Sequence, residues 1–527
     1  MAKVLFLQDV WIEYYGVMQL SGTLKKYGHS TDILFADQPT TLEEIKKIKP
    51  DLIAYSLMSV QWTWAKSMSK YLKDNGVTIP QIVGGIHPTM YPDLTIAHEG
   101  VDIICKAEGD YAFLDLCNAI DKNEDYSNIK NLWVKKDKEI VKNLTRPKLS
   151  AEELSKLPFP DRELYSKYDY FHDYPFVTFV GSRGCPFKCS FCEVPSVASI
   201  YAGQKSTIYQ KVDSFIGEIE NAKNKGLLKN KLVMFTDSTF NSNKKWFLEF
   251  CQKYKEKINL PWSCNLRAEL VDEAQVAAMK NSNCDNVRFG VESGNEEIRN
   301  TVLAKGRLAN EKIINCARLL KKYKITFQTF NMFGIPSETY EQAWETIKLN
   351  QQIKPDAVGM YLLLLFKGVG VTDYALNHKL IDEKDLDLIE KPPYNLHLSL
   401  LSLHLDRNPD ALRISNLQKF SILALRMPFL EPVIRWMCEL PPNKLFGLFY
   451  LASQAWEWRK WSTKSTLKRL FFDGLLNYQA LFGESQTRKG FMVRISKFLV
   501  RKHRRRIAAP FYPEVKPKSS DLSLSKN

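Results

Sequence analysis

Short apolar segments alternate strictly with helix-period ones from Lys3 to about Ile120, and a second series of the same kind starts at Phe176. In the first, "KVLFL" precedes "MQLSGTLKKYG", "TDILF" precedes "TLEEIKKI", "DLIAYS" precedes "WAKSMSKYLKDNG", "QIVGG" precedes "LTIAHEG", and "VDIICKAEG" precedes "AFLDLCNAI". Apolar strands joined by helical crossovers demand a parallel sheet covered on both faces. Residues 1–120 are therefore expected to form a doubly wound α/β domain of five strands, with its ligand-facing turns beyond the carboxyl ends of the strands. The second series has the strands "FVTFVG", "KLVMFTDS", "PWSCNLRA", "NVRFGVES", "ITFQTFNMFG" and "AVGMYLLLLF". It predicts a partial, open (β/α)6 barrel over residues 175–385, again with its chemistry at the carboxyl ends. Residues 121–174 carry few periodic segments, and "LPFPDRELY" holds two prolines, so this stretch reads as a linker wrapped on the surface. Residues 386–510 read as helical and aromatic, with Trp436, Trp456, Trp458 and Trp461, and 511–527 as disordered.

The chain has ten cysteines, of which seven (105, 117, 251, 264, 284, 316 and 438) are scattered singly through apolar segments. They are not spaced as a disulfide framework and read as buried small hydrophobes. The start, "MAKVLFLQDV", lacks the features of a signal peptide, and apolar runs such as "LFGLFYLASQAW" fall short of the ~20 residues that span a bilayer. A cytoplasmic protein is expected. The other three cysteines stand in "GSRGCPFKCSFC" as Cys185, Cys189 and Cys192, a Cys-x3-Cys-x2-Cys spacing placed directly after the first strand of the second series. Gly184 and Pro186 keep that loop out of helix or sheet. Three thiolates at this spacing can hold three irons of a [4Fe-4S] cluster and leave the fourth open to a small molecule. A zinc site would call for a fourth Cys or His, and the closest histidine, His172, precedes the strand that leads into the loop.

The cysteine motif, with the aromatic Phe191 before its last cysteine, resembles the signature of the radical S-adenosylmethionine superfamily. That resemblance implies that the open iron chelates the amine and carboxylate of S-adenosylmethionine and that electron transfer from the reduced cluster cleaves the sulfonium to a 5′-deoxyadenosyl radical. It continues strand by strand through "FTDSTF", "LRAE", "GVESGNEEI" and "FGIPSET". What it implies for S-adenosylmethionine is a site made by Phe191, Asp237, Arg267, Glu292, Ser293, Asn331 and Ile335. Arg267 and Glu292 are also charged residues at the ends of apolar strands, where each needs a partner. A zwitterionic ligand supplies both signs; a pairing of the two across the barrel mouth is the alternative.

In the first domain Ser56 stands beyond the third strand, "GGIHPT" (Gly84, Gly85, His87) beyond the fourth, and "AEGD" (Glu108, Gly109) beyond the fifth. Adjacent glycines let a large flat ligand approach the backbone. A dinucleotide fingerprint should follow the first strand of such a Rossmann-like sheet, but "LQDVWIEYYG" stands there, which argues against NAD. The layout resembles cobalamin-binding domains, where a serine and paired glycines line the cavity for the nucleotide tail. Over roughly residues 1–380 the chain is thus similar to radical S-adenosylmethionine enzymes with an N-terminal cobalamin (B12)-binding domain. It departs from the methionine-synthase type, because Asp9 is followed by Trp11 where Asp-x-His-x-x-Gly would place the cobalt-ligating histidine. His87 is either a hydrogen-bonding turn residue or a cobalt ligand.

The resemblance implies a C-methyltransferase acting on an unactivated carbon of a small-molecule or lipid-like substrate, with a low-potential electron donor; the alternatives are a radical cyclase or rearrangement enzyme without net methylation, or an RNA-modifying radical S-adenosylmethionine enzyme. RNA-modifying methylthiotransferases hold a second cluster on three N-terminal cysteines, whereas only Cys105 and Cys117 precede residue 180 here. Nucleic acid is not an expected partner. Much of the net charge of +15 lies after residue 480. There, 487–506 sets Phe491, Ile495, Phe498 and Leu499 at helical spacing beside arginines and lysines. This reads as a peripheral membrane element or as a helix docked by its apolar stripe.

Overall fold

The computed structural model describes residues 1–137, 139–386, 407–441 and 443–461; the stretches 487–506 and 511–527 lie outside them. Strands β1 (Lys3–Gln8), β2 (Ser30–Phe35), β3 (Leu52–Leu57), β4 (Gln81–Gly85) and β5 (Ile103–Cys105) run parallel in the order 2-1-3-4-5. Both faces of this sheet are buried. Val4, Phe6, Ile33, Ala54 and Ile82 face one apolar core, and Leu5, Leu7, Ile53, Tyr55 and Val83 face another. Helices from either side cover the two faces, as near-continuous apolar strands require.

The stretch expected as a surface linker differs in two respects. β6 (Leu132–Lys136) and β7 (Glu139–Lys142) extend the sheet, β6 antiparallel to β5 and β7 antiparallel to β6. Both are short and end in lysine, and β7 is the edge. The end of the stretch is a strap anchored in the core, with Tyr165, Tyr168, Tyr170 and Phe171 buried beside Trp11, which stacks on Phe35 at 4.1 Å. Arg162 from the strap lies over the Phe179 ring at 3.9 Å and donates to Glu218 at 2.9 Å; the other Glu218 oxygen accepts from the Tyr15 hydroxyl at 3.2 Å. With side-chain exposures of 8% and 3%, this ion pair joins the strap, the first domain and the helix Val212–Asn224.

The second sheet comprises β8 (Phe176–Phe179), β11 (Leu232–Phe235), β12 (Trp262–Asn265), β13 (Cys284–Glu292), β14 (Thr326–Phe333) and β15 (Ala357–Leu362), all parallel and in chain order. β9 (Ser182–Gly184) and β10 (Thr207–Tyr209) form a separate antiparallel pair flanking the cysteine loop. The loop expected to be free of sheet is thus entered through a strand. Phe179, Phe235, Phe240, Phe250, Tyr254 and Trp262 fill the space between the sheet and its outer helices. Strand parity follows: Val287, Phe289 and Val291 of β13 face those helices, so Arg288, Gly290 and Glu292 face inward.

Helices Ala411–Arg426, Glu431–Cys438 and Lys444–Trp461 close the β15 edge. The exposed ladder groups of that strand find side-chain partners: Val358 N–H donates to Glu457 at 3.2 Å, and the Met360 carbonyl accepts from Gln418 at 3.0 Å and Tyr450 at 2.7 Å. The carboxyl edges of the two sheets meet. Met90 of the first domain packs with Ile335, Leu365 and Val369, and Tyr91 Oη donates to the Lys367 carbonyl at 2.9 Å. No helix among the described residues is long and apolar enough to cross a membrane.

Because removing one partner strands the other as a buried charge, Arg162→Met is expected to cost about 3–5 kcal/mol. Adding Glu218→Gln should recover much of that loss. Denaturant unfolding of the full chain tests this, and a single-variant cost under about 1 kcal/mol would contradict the assigned role.

Candidate active site at the facing sheet edges

The cysteine loop lies between the sheet edges and is held from the barrel side. Ser190 donates its N–H to the Leu303 carbonyl at 2.9 Å and its hydroxyl to the Val302 carbonyl at 2.6 Å, and its own carbonyl accepts from Val371 at 2.8 Å. Cys189 is buried and accepts from Arg267 Nη1 at 3.3 Å; Cys185 sits 3.6 Å from Thr239 Oγ1. Burial, and then the charges of Cys189 and Cys185, push the Cys192 thiol up to about 11. Three thiols in one short loop, with the Arg267 guanidinium beside Cys189, offer a donor set whose chemistry suits an iron–sulfur cluster. Among the described residues no three His, Cys, Asp or Glu side chains surround a single metal ion. Ligands of a four-iron cube stand around a larger body and need not converge on one point.

Of the residues expected to meet S-adenosylmethionine, Arg267 and Glu292 reach this loop, but they pair neither with each other nor across the mouth. Arg267 is held by Glu269 and the Lys305 carbonyl, with its guanidinium 3.8 Å over the Phe187 ring. Glu292, at φ 66°, accepts from Lys305 Nζ at 2.7 Å. Lys305, itself 6% exposed, also donates to the Gly290 carbonyl at 2.5 Å. Sequence reasoning missed Lys305, because "LAKGR" gives no sign that this turn folds back under β13. Phe191 and Ile335 lie in one apolar cluster, Phe191 at its partly exposed rim and Ile335 fully buried.

Three others serve the scaffold. Asp237 accepts from Gly181 N–H at 3.1 Å and Ser182 Oγ at 2.5 Å, and burial pushes its carboxyl up to about 6. Ser293 Oγ accepts from Asn295 N–H at 3.2 Å. Asn331 faces the outer helices, where its Oδ1 accepts from Asn350 at 2.7 Å and its amide donates to Thr329 and Gly359 at 3.2 Å each. The parity of β14 places it on that side, with Phe330 and Met332 on the other.

Ser56, Gly84, Gly85, Glu108 and Gly109 come together, as expected, in the wall of one cavity of about 230 Å³. Phe6, Gln19, Asp110 and Phe113 are also on its first-domain side, and Val180 and Arg183 reach it from the barrel. A whole drug-sized ligand needs ~300–1,000 Å³, so this space suits a flat tail with the bulk of the molecule at the mouth. The two glycines have different tasks. Gly85, at φ 95°, could carry a Cβ only at 2.7 Å from the Leu57 backbone, so it is glycine for the sheet. At Gly84 a Cβ would meet nothing closer than Cys105 Cβ and Tyr55 O at 3.8 Å, and only the absence of a side chain keeps that wall open. The residues fit a cobalamin tail. A second cavity of about 190 Å³ shares Gly85, Ala107, Glu108 and Arg183 and runs to Val194, Val197 and Ala198, on a helix (Glu193–Ser199) with no fully buried residue.

His87 is not in either wall. Its ring is fully buried, stacks on Trp62 at 4.8 Å, and has no hydrogen-bond partner at either nitrogen among the described residues. It is thus neither a cobalt ligand nor a hydrogen-bonding turn residue. The short helix Ile86–Met90 turns it back into the domain core. Burial lowers its pKa to about 3.

Gly84→Leu should fill the cavity and abolish hydroxocobalamin binding with little change in melting temperature, whereas Gly85→Leu should destabilise the sheet itself. Retained binding in the first variant, measured by equilibrium dialysis, would move the site elsewhere. For His87, a folded pKa below the ordinary 6.5 means that its contribution is fully present above pH 6.5 and is lost as pH falls toward about 3. Between pH 6.5 and 5 the native chain should lose roughly 2 kcal/mol more than His87→Phe, at about 1.4 kcal/mol per unit; equal losses in urea unfolding would refute this.

A family described as the radical SAM superfamily matches residues 179–349, and the B12 binding domain matches residues 12–117. The chain is 26% identical over 357 residues to an uncharacterized methyltransferase of Pyrococcus horikoshii, covering 67% of this chain and 75% of that protein. It is 27% identical over 367 residues to the anaerobic magnesium-protoporphyrin IX monomethyl ester cyclase of Rubrivivax gelatinosus, covering 66% of this chain and 62% of that protein. Among solved structures, the radical S-adenosylmethionine methyltransferase TsrM from Kitasatospora setae, with cobalamin and a [4Fe-4S] cluster bound, superposes with a TM-score of 0.60 at 17% identity over 72% of this chain and 75% of its own. The cobalamin-dependent enzyme OxsB, with aqua-cobalamin and S-adenosylmethionine bound, gives 0.62 at 14% identity over 95% of this chain and 75% of its own. At those identities the two structures speak for the fold. Together with the thiol loop and the glycine-walled cavity, the two family matches place the chain among the radical S-adenosylmethionine enzymes that carry an N-terminal cobalamin-binding domain and use a [4Fe-4S] cluster, S-adenosylmethionine and cobalamin.

Proposed function

We propose that the protein is a C-methyltransferase acting on an unactivated carbon of a small, largely apolar molecule. The observation that carries this reading is the composition of the first cavity's wall: Ser56, Gly84 and Gly109 from the cobalamin side share it with Val180 and Arg183, which lead into the cysteine loop. When bound, the cluster supplies one-electron cleavage of S-adenosylmethionine and cobalamin supplies a methyl carrier. Each methyl group placed on carbon then consumes two S-adenosylmethionine molecules and two electrons from a low-potential donor, and leaves S-adenosylhomocysteine, methionine and 5′-deoxyadenosine.

The chain's own groups hold and orient. Cys185, Cys189 and Cys192 are the cluster ligands in this reading, and Arg267 places positive charge beside the Cys189 sulfur. Lys305 sets the Glu292 carboxylate at the end of β13 toward the ligand's charged end. Val194, Val197 and Ala198 give the adjoining cavity an apolar wall, which supports a hydrophobic or lipid-like substrate. The bacteriochlorophyllide d C-12(1)-methyltransferase of Chlorobaculum tepidum, 23% identical over 344 residues, is a carbon methyltransferase by its name.

The second reading is a radical cyclase or rearrangement enzyme, favoured by the similarity to the Rubrivivax gelatinosus cyclase. Product analysis separates the two. Reconstituted protein, incubated anaerobically with titanium citrate, S-adenosylmethionine and hydroxocobalamin, should release S-adenosylhomocysteine in a cobalamin-dependent way. Formation of 5′-deoxyadenosine alone would favour the cyclase. Alanine at Cys185, Cys189 or Cys192 should abolish 5′-deoxyadenosine; full formation in any of them would refute the cluster assignment.

A further inference from the structure

Arg183 belongs to the cysteine motif, yet nothing above gives it a chemical task. It is the central residue of β9, two positions before Cys185, and its side chain leaves the barrel altogether. Its two outer nitrogens grip Asp110 of the first domain at 2.6 and 3.0 Å, and Nη1 lies 3.7 Å from Glu108. Asp110 begins the helix Asp110–Lys122, directly after Gly109 in the cavity wall, and its side chain is 6% exposed. Burial raises its carboxyl, but the Arg183 guanidinium outweighs that and holds it below the ordinary range. A bidentate guanidinium–carboxylate fork fixes angle as well as distance.

The strand that carries Arg183 has no slack. Asp237 holds Gly181 and Ser182 from the barrel. Gly184, at φ 87°, passes so close to the Ser206 carbonyl that a Cβ there would stand 2.0 Å from its oxygen. A shift of the Arg183 side chain must therefore be passed to Cys185 or break these contacts. On the other side, Glu108 N–H donates to Tyr201 Oη at 3.3 Å, just past the helix that follows Cys192. The same turn, residues 107–110, thus touches the cysteine loop both before its first ligand and after its last. Arg183 lines both cavities.

We propose that the Arg183–Asp110 pair is a positioning link through which occupancy of the first cavity sets the cysteine loop and the loop sets the affinity of the cavity. This rests on the reading that the cavity takes cobalamin. Linkage makes the effect reciprocal, so it can be read from binding alone. Full-length protein is prepared with its cluster reconstituted and, separately, cluster-free after chelation, and the hydroxocobalamin Kd of each is measured by equilibrium dialysis. In the native chain the two values should differ about tenfold. In Asp110→Asn and in Arg183→Lys, which keeps the charge but loses the fork, the ratio should fall to within about twofold of one, whatever the change of a wall residue does to the affinity itself. A ratio near one in the native chain, or a native ratio in the variants, overturns the link. If Asp110→Asn does not fold, Arg183→Lys decides alone. Failure of hydroxocobalamin to bind either native preparation overturns the cobalamin reading instead.

Discussion

Parallel strands joined by helical crossovers deliver all their carboxyl ends to one edge, and this chain builds two such sheets and sets those edges against each other. Ser56, Gly84, Gly85, Glu108 and Gly109 lie tens of residues apart in the chain and share one wall because β3, β4 and β5 point the same way. Cys189 and Arg267 meet by the same rule applied to β8 and β12. The first cavity opens on that seam, where Val180 and Arg183 of the barrel side complete a wall built by the first domain.

Holding that seam falls to charges buried in pairs. Arg162–Glu218 ties strap, first domain and barrel helix together, Arg183–Asp110 joins the cavity turn to the cysteine loop, and Lys305–Glu292 and Arg267–Glu269 order the barrel mouth. A buried pair adds little net stability while intact, but breaking it leaves an uncompensated charge, so it penalises every arrangement that separates the partners. Apolar packing supplies the bulk of the cohesion on either side, in the aromatic cluster around Phe235 and in the Trp11–Phe35 stack. The C-terminal helices act by a third means, satisfying the open edge of β15 with Glu457, Gln418 and Tyr450.

Much of this could be read from the residues. The alternation of apolar strands and amphipathic helices exposes both parallel sheets, since strands buried on both faces are apolar throughout. The cysteine spacing announces the cluster, and Ser56 with Gly84 and Gly85 announces the cavity. What escaped has a common cause. β6 and β7 hide because both are short and end in lysine, and the strap hides because its prolines disguise aromatic residues that pack on Trp11. Asn331 was placed in the site because it stands near a strand end, but side chains alternate across a strand and its own turns outward. Lys305 in its turn and Arg183 in β9 are not conspicuous, because a single basic residue carries no sign of the partner it will take.

The sequence by itself determined the two parallel series of strands, the cysteine spacing and the turns beyond β3, β4 and β5, because each depends on local spacing and on which residue types tolerate burial or tight turns. Only the tertiary structure decided which partner each charge takes. Arg267 meets Glu269 and Glu292 meets Lys305, while Arg183 crosses to Asp110 and His87 turns into the core away from both cavities. Pairings of that kind depend on which sheet edge lies opposite which, and that is fixed by the packing of elements far apart in the chain.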